Sequence, residues 1–136
     1  MKHLIRAALE VRLATWAAQQ TPALPVAWED RPFSPNGTYL RVSMLTAEPD
    51  DPVLGQGLQR HQGVYQISVF VPAGSGPVTA ESKAAGIAAL FARGTVMTQG
   101  TTRVVIDRTP QVGRLMPDGP YSFIPVSIRY RADIFA

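Results

Sequence analysis

The side chains able to do chemistry are few and scattered. There are two histidines, His3 and His61, and no cysteine. Thiolate nucleophiles, thiolate metal sites and disulfides are therefore excluded. A serine triad would need a serine, a histidine and a carboxylate to converge. The candidate Ser75 lies in Gly74-Ser75-Gly76, which lacks the spacing of a nucleophile elbow. Glu48, Asp50 and Asp51 form an oxygen-rich group of the kind that holds calcium or magnesium. The intervening Pro49, and the absence of a glycine at the centre, make it read instead as a solvated acidic turn. No stretch reads G-x-x-x-x-G-K. Gly55-Gln56-Gly57 opens like a dinucleotide loop, but Arg60 stands where the third glycine belongs. These residues predict no catalytic residue, no cofactor and no metal site.

What the sequence does have is arginine. Of the 13 basic residues only Lys2 and Lys83 are lysines, and the net charge is +3. The planar guanidinium pairs with carboxylates and stacks on rings, so it is a side chain of interfaces. Arg103, Arg108, Arg114, Arg129 and Arg131 fall in the last third, with Tyr121 and Phe123 interleaved. A face that binds single-stranded nucleic acid combines such features. A net charge of +3 is too small to argue for that by itself.

Regular elements must position these groups. Ile5, Leu9, Leu13 and Trp16 recur at helical spacing and predict a packing helix over residues 3–20. Thr21-Pro22 ends it. A proline-rich stretch, residues 25–37, cannot run through the middle of a sheet. Residues 38–45 alternate, with Leu40, Val42 and Met44 on one face. Residues 46–63 fit either a twisted hairpin arm or a long loop. Residues 63–71 form the clearest strand, with Tyr65, Ile67, Val69 and Val71 on one face.

A second helix is predicted over residues 77–93. Pro77 opens it, and Ala80, Ala84, Ile87, Ala88 and Phe91 face the core. Gly94 suits the left-handed position just past its end. Residues 102–107, 112–116 and 121–130 read as strands, the last two joined by the turn Pro117-Asp118-Gly119-Pro120. Val126, Ile128 and Tyr130 share the inner face of the final strand, and Arg129 and Arg131 lie on the outer one. The order predicts an α+β fold, a mixed, largely antiparallel sheet with two main helices packed against it.

With 136 residues there is room for one domain, 1–136. A hydrophobic content of 46% with 17% charge excludes whole-chain disorder. No apolar run approaches the ~20 residues that span a bilayer. Arg6, Glu10 and Arg12 break up any signal-like segment near the start. The expected setting is a cytoplasm, with no membrane.

One ordered series of motifs goes further. Trp28-Glu29-Asp30, Phe33 and Pro35 precede Tyr39-Leu40-Arg41-Val42. Leu54-Gly55 follows, then Gly63-Val64-Tyr65-Gln66-Ile67 and Val69. Pro72, Gly74 and Gly76 come next, then Phe91, Arg93-Gly94-Thr95, and finally Pro125-Val126, Ile128 and Tyr130. From about residue 26 to 131 this resembles the tail terminators of long, non-contractile phage tails. The resemblance implies a structural virion protein of a phage or prophage, without catalysis, that caps the tail tube as a ring. The ring would be a homo-oligomer, typically of six subunits, or a monomer in isolation. It would stop tube growth and present a surface for head attachment. The implied partners are other copies of the chain, the tail tube protein and a head-completion protein. The genome would pass through the opening. The implied location is the host cytoplasm during assembly and then the virion tail.

Trp28, Tyr39, Tyr65, Ile67, Val126 and Ile128 are expected in the core. The contact candidates are Arg31 and Phe33, the loop residues Asp50, Asp51, Gln56, Arg60 and His61, and Arg129 and Arg131. Gly86, inside the second helix, departs from the pattern, since a polar residue is more usual there. Rival readings are another head–tail joining or tube component, or a small module binding nucleic acid or a ligand.

Overall fold

The computed structural model describes residues 2–47 and 58–135. Its elements run α1 (Lys2–Ala18), β1 (Val26–Ala27), β2 (Tyr39–Thr46), β3 (Leu58–Pro72), α2 (Val78–Leu90), β4 (Val96–Gln99), β5 (Thr102–Ile106), β6 (Gln111–Val112), β7 (Met116–Asp118) and β8 (Tyr121–Phe135). The strands make one sheet in the order β1-β2-β3-β8-β5-β4, with β6 and β7 also paired to β8. Only β1 with β2 is parallel among these pairs. This is the α+β fold with a mixed, largely antiparallel sheet that the sequence predicts.

The centre of the sheet is the ladder of β3 with β8, which runs unbroken from Leu58↔Phe135 to Pro72↔Tyr121. Alternation sets which side is dry. Tyr65, Ile67, Val69 and Val71 of β3 and Ile124, Val126, Ile128 and Tyr130 of β8 point inward. Leu40, Val42 and Met44 of β2 join them. α1 covers this side with Ile5, Leu9 and Leu13, and α2 with Ala80, Ala84 and Ile87. The small alanine side chains let α2 approach the strands closely. Trp16 lies half-buried against the same core.

Where the helix and strand boundaries differ, local chemistry explains why. Pro77 is the cap of α2 rather than its first residue, and Gly94 takes a left-handed φ of 92° in the turn leading into β4. The expected strand over 112–116 is two short ones, β6 and β7. Gly113 turns out of the ladder between them, its N–H donating to the Pro125 carbonyl at 2.8 Å. A Cβ at Gly113 would stand 2.8 Å from the Pro125 ring, so only glycine fits. Two short strands, β1 and β4, have too few residues to show alternation. β1 is extended by a side chain: Glu29 Oε1 accepts the Met44 N–H at 3.0 Å, occupying the edge of β2 where β1 ends.

Residues 58–62 are strand, not loop. They are the first rungs of β3 and pair with Arg131–Phe135 of β8. Of the two readings open for residues 46–63, these five residues fit the strand-paired arm rather than the loop, because β8 continues five residues past Tyr130 and supplies the partner. Trp28 is half-buried rather than in the core, and the other five residues expected there are buried. Among the described residues, no helix is long and apolar enough to cross a membrane.

Candidate assembly surface

Both helices lie on one side of the sheet, so the opposite side is formed by the outward residues of the strands. Cross-strand register orders it into rows. At one end Tyr39, Phe70 and Phe123 stand side by side on β2, β3 and β8. Their rings stack with centroids 4.9 and 5.0 Å apart. Phe33 reaches over from the proline-rich segment to within 4.9 Å of the Tyr39 ring, and Tyr121 packs edge-on at 5.4 Å. Arg41 lies above both Tyr39 and Phe70, 5.9 and 5.8 Å from their centroids. This cluster is a small second core.

The middle rows are short and polar: Ser68 beside Arg41 and Pro125, then Ser43, Gln66, Ser127 and Gln111. Beyond them the chemistry changes again. Leu45, Val64 and Arg129 form one row, and Gln62, Arg131, Val105 and Val96 the next. Arg103 on β5, opposite Thr98, continues the charge toward the sheet edge. Arg60 lies opposite Asp133 and is ion-paired with it at 2.8 Å, while Arg131 approaches the same carboxylate at 4.0 Å. Arg41, Arg103 and Arg129 have no carboxylate partner among the described residues.

The predicted contact residues can now be placed. Arg60, Arg129 and Arg131 come together on this face. Phe33 is at its aromatic end, half-buried. Arg31 is exposed in the turn before it and lines the same hollow as Arg41, Ser43 and Ser68. His61 does not belong with them. Strand alternation turns it to the helix side with Tyr65, and its Nε2 is buried without a hydrogen bond among the described residues. Asp50, Asp51 and Gln56 lie outside the described residues, as do Glu48 and Gly55-Gln56-Gly57. Tyr121 and Phe123 are half-buried within the aromatic cluster, so they do not form an open platform for stacking bases. Arg41 was not singled out in the sequence. Its place on the outer face of a strand that begins with the aromatic Tyr39 was the available signal.

Among the described residues Ser75 and His61 are not brought together. Ser75 Oγ donates to the Pro72 carbonyl in the turn after β3, at the far end of that strand from His61. At ~3.4 Å per residue the two are about 35 Å apart along the strand. Among the described residues no group of three His, Cys, Asp or Glu is placed to hold a metal ion. Two titratable groups stand out, and both face the core. Burial raises the Tyr130 hydroxyl to about 12, and the Tyr65 hydroxyl further still. The Tyr65 Oη has no hydrogen-bond partner among the described residues.

A second surface feature lies on the helix side. Between α1 and β4 a groove of about 390 Å³ is lined by Val11, Thr15, Trp16, Leu90, Val96 and Met97, among others. Arg12 crosses its floor to donate to the Leu90 carbonyl at 2.8 Å.

A helix-covered sheet with a patterned open face, beside a hollow lined by Arg6, Glu10, Glu29, Asp30 and Arg31, defines the class as an α+β module with several broad surfaces. The family follows from the sequence as a whole. Residues 4–130 match the phage tail terminator protein family, and the chain belongs to it. It is on that basis a phage tail protein of a structural family. No curated protein sequence matches it. One solved structure, which carries no functional name, is 35% identical with a TM-score of 0.80, covering 97% of this chain and 95% of that one. A chain from the virion of a native gene transfer agent particle shares the fold at 22% identity, with a TM-score of 0.62 over 96% of this chain and 93% of its own.

Proposed function

We propose that this chain caps the phage tail tube as a closed oligomeric ring, ends tube polymerisation, and forms the surface to which the head attaches. The observation that carries this reading is the family match across residues 4–130. The shared fold with a chain of a gene transfer agent virion is consistent with a place in a virion. The role needs no catalysis. It needs two different lateral patches, because neighbours in a closed ring meet through unlike surfaces. It also needs axial surfaces for the tube protein and for a head-completion protein, and an opening for the genome.

The chain offers surfaces of unlike chemistry for these contacts. The open sheet face runs from aromatic to polar to basic. The groove between α1 and β4 is apolar at its rim, where Val11 is exposed and Val96, on the edge strand, borders both the groove and the open sheet face. In this reading the chain is one domain, assembled in the host cytoplasm and resident in the virion tail. The test is absolute mass by light scattering, electron microscopy of the same sample, and addition to growing tube protein. A closed ring, or arrest of tube growth by substoichiometric chain, is the expected result. Open-ended tubes of this chain alone would instead identify a tube subunit. Tube growth that continues unaltered, with no ring formed, would remove the capping role.

A further inference from the structure

We propose that the basic end of the open sheet face seats the acidic segment, residues 48–54, of a second copy of this chain. The inference rests on the ring reading above and names the contact that would join neighbouring subunits.

The receiving surface is defined by register. Arg129 and Arg131 are two residues apart on β8, hence on one face and ~7 Å apart. Arg103 adds a third guanidinium from β5, next to β8 in the sheet. Two carboxylates lie on this end of the face among the described residues: Asp133, which already serves Arg60 and Arg131, and Asp107, which lines one hollow with Arg108 and Arg129. The arginines still outnumber them. Apolar side chains interleave them: Leu45 is 57% exposed, Val96 is 42% exposed, and Val64 and Val105 are half-buried between. Arginine mixed with aliphatic surface is the composition of protein interfaces. The aromatics of the sheet are packed against one another at the opposite end, so the basic end has no stacking platform for bases.

The same chain carries the complementary chemistry. Residues 48–54 read Glu-Pro-Asp-Asp-Pro-Val-Leu. They lie outside the described residues. Three carboxylates are followed by two aliphatic side chains, matching a surface of arginines beside leucine and valine. Glu48 and Asp50 are two positions apart, as Arg129 and Arg131 are. An acidic stretch and a basic sheet face are two unlike patches of one chain, which is what a head-to-tail contact requires.

The chain has no native cysteine, so one spin label can be placed cleanly. Unlabelled-isotope chain carrying Gln56→Cys with a nitroxide is mixed with nitrogen-15 chain that bears no label. The expected result is broadening of the Arg103, Arg129 and Arg131 signals of the second chain, weakened by salt. Arg129→Glu with Arg131→Glu should abolish it. Combining that variant with labelled chain carrying Glu48→Lys, Asp50→Lys and Asp51→Lys should restore it. Arg129→Gln with Arg131→Gln, which adds no repulsion, should weaken it at least about tenfold, as losing two charge-assisted contacts predicts.

Broadening seen only when label and isotope share one chain would overturn the proposal in favour of an internal contact. Absence of broadening in the mixed sample, or broadening indifferent to the charge changes, would also overturn it. So would salt-sensitive binding of a short DNA duplex at Arg129 and Arg131 without intermolecular broadening. Closed rings without this contact would keep the ring and discard the contact. The contact without closed rings would do the reverse.

Discussion

Gly86 of α2 lies under the indole of Trp16 from α1, so close that a Cβ at position 86 would stand 2.8 Å from Trp16 Cζ2. The two helices are therefore joined by an absence. The glycine that looks out of place within a helix is the seat for the largest side chain of the neighbouring one. Gly86→Ala gains ~1 kcal/mol of helix propensity. It loses ~1–3 kcal/mol to overpacking, because the indole is rigid and backed by the core. A net loss of up to ~2 kcal/mol is expected, with a shift in tryptophan emission. Trp16→Ala should remove the penalty, so that in the double variant the alanine becomes stabilising. Denaturant titration of the four forms tests the coupling, and additive effects would refute it.

Gly63 is a harder case. A Cβ there would fall on the Leu45 carbonyl and on the Tyr130 hydroxyl. The first is backbone within the β2–β3 ladder and cannot swing away. Gly63→Ala should therefore cost more than Gly86→Ala, on the order of 3 kcal/mol or more, and should loosen β2 from β3. Hydrogen exchange would report the loss first at residues 44–46. Wild-type protection there in the variant would show that the strands can part without cost.

Alkaline pH should unfold the chain through its inward tyrosines. Burial raises Tyr130 to about 12 and Tyr65 further. A phenol whose folded value exceeds its unfolded value of 10.0 gives stability that is complete below that value and is lost as pH rises above it. Stability should fall steeply above pH ~10. Phenolate absorbance should appear together with unfolding rather than before it for two of the four tyrosines. Tyr65→Phe removes the titrating group and the unpaired hydroxyl together. It should flatten the alkaline limb and cost little at neutral pH.

Acid acts at a different place. Glu29 is held below its ordinary value of 4.5, first by the Arg6 hydrogen bond at 2.7 Å and also by the Met44 N–H, against a smaller opposing effect of burial. Its folded value is the lower one, so its contribution is present above 4.5 and lost as pH falls through the folded value. The carboxylate is 40% exposed, so screening keeps the contribution below ~1 kcal/mol. Glu29→Gln should destabilise slightly at pH 7, and the difference should vanish in acid. A difference that grows with acidity would have the wrong sign.

The β3 and β8 cores were legible because each alternates over many residues between large apolar and polar side chains, and α1 because Ile5, Leu9 and Leu13 keep strict spacing. β1 and β4 were not legible. A two-residue strand has no period, and β4 buries only Met97. The first rungs of β3 were hidden for another reason. Gln59, Arg60, His61 and Gln62 are polar throughout and are strand because β8 lies beside them, a fact about distant sequence. The same pairing separated two residues that adjacency had joined. Arg60 faces out toward Asp133, and His61 faces in. Of the basic face, Arg129 and Arg131 could be read from alternation. That Arg103 and Arg60 share it needed the strand order.

Asp133 offers the last prediction, since it should affect folding and association in opposite directions. Its carboxylate accepts from Arg60 at 2.8 and 3.5 Å and fixes the far end of the β3–β8 ladder, where only the other strand is paired over residues 58–60 and 133–135. Asp133→Asn keeps the shape and removes the charge. Both partners are about one-third exposed, so the global loss should be under ~1 kcal/mol. The local loss should be sharper, as faster hydrogen exchange confined to residues 58–61 and 132–134. The same change removes one of the two carboxylates, Asp133 and Asp107, that stand among the arginines of the basic face. If that face receives an acidic segment, Asp133→Asn should strengthen the intermolecular broadening at Arg129 and Arg131 while the ladder end frays. Weaker broadening together with fraying would mean that Asp133 holds the arginines in their binding positions, and that order at the ladder end matters more than net charge.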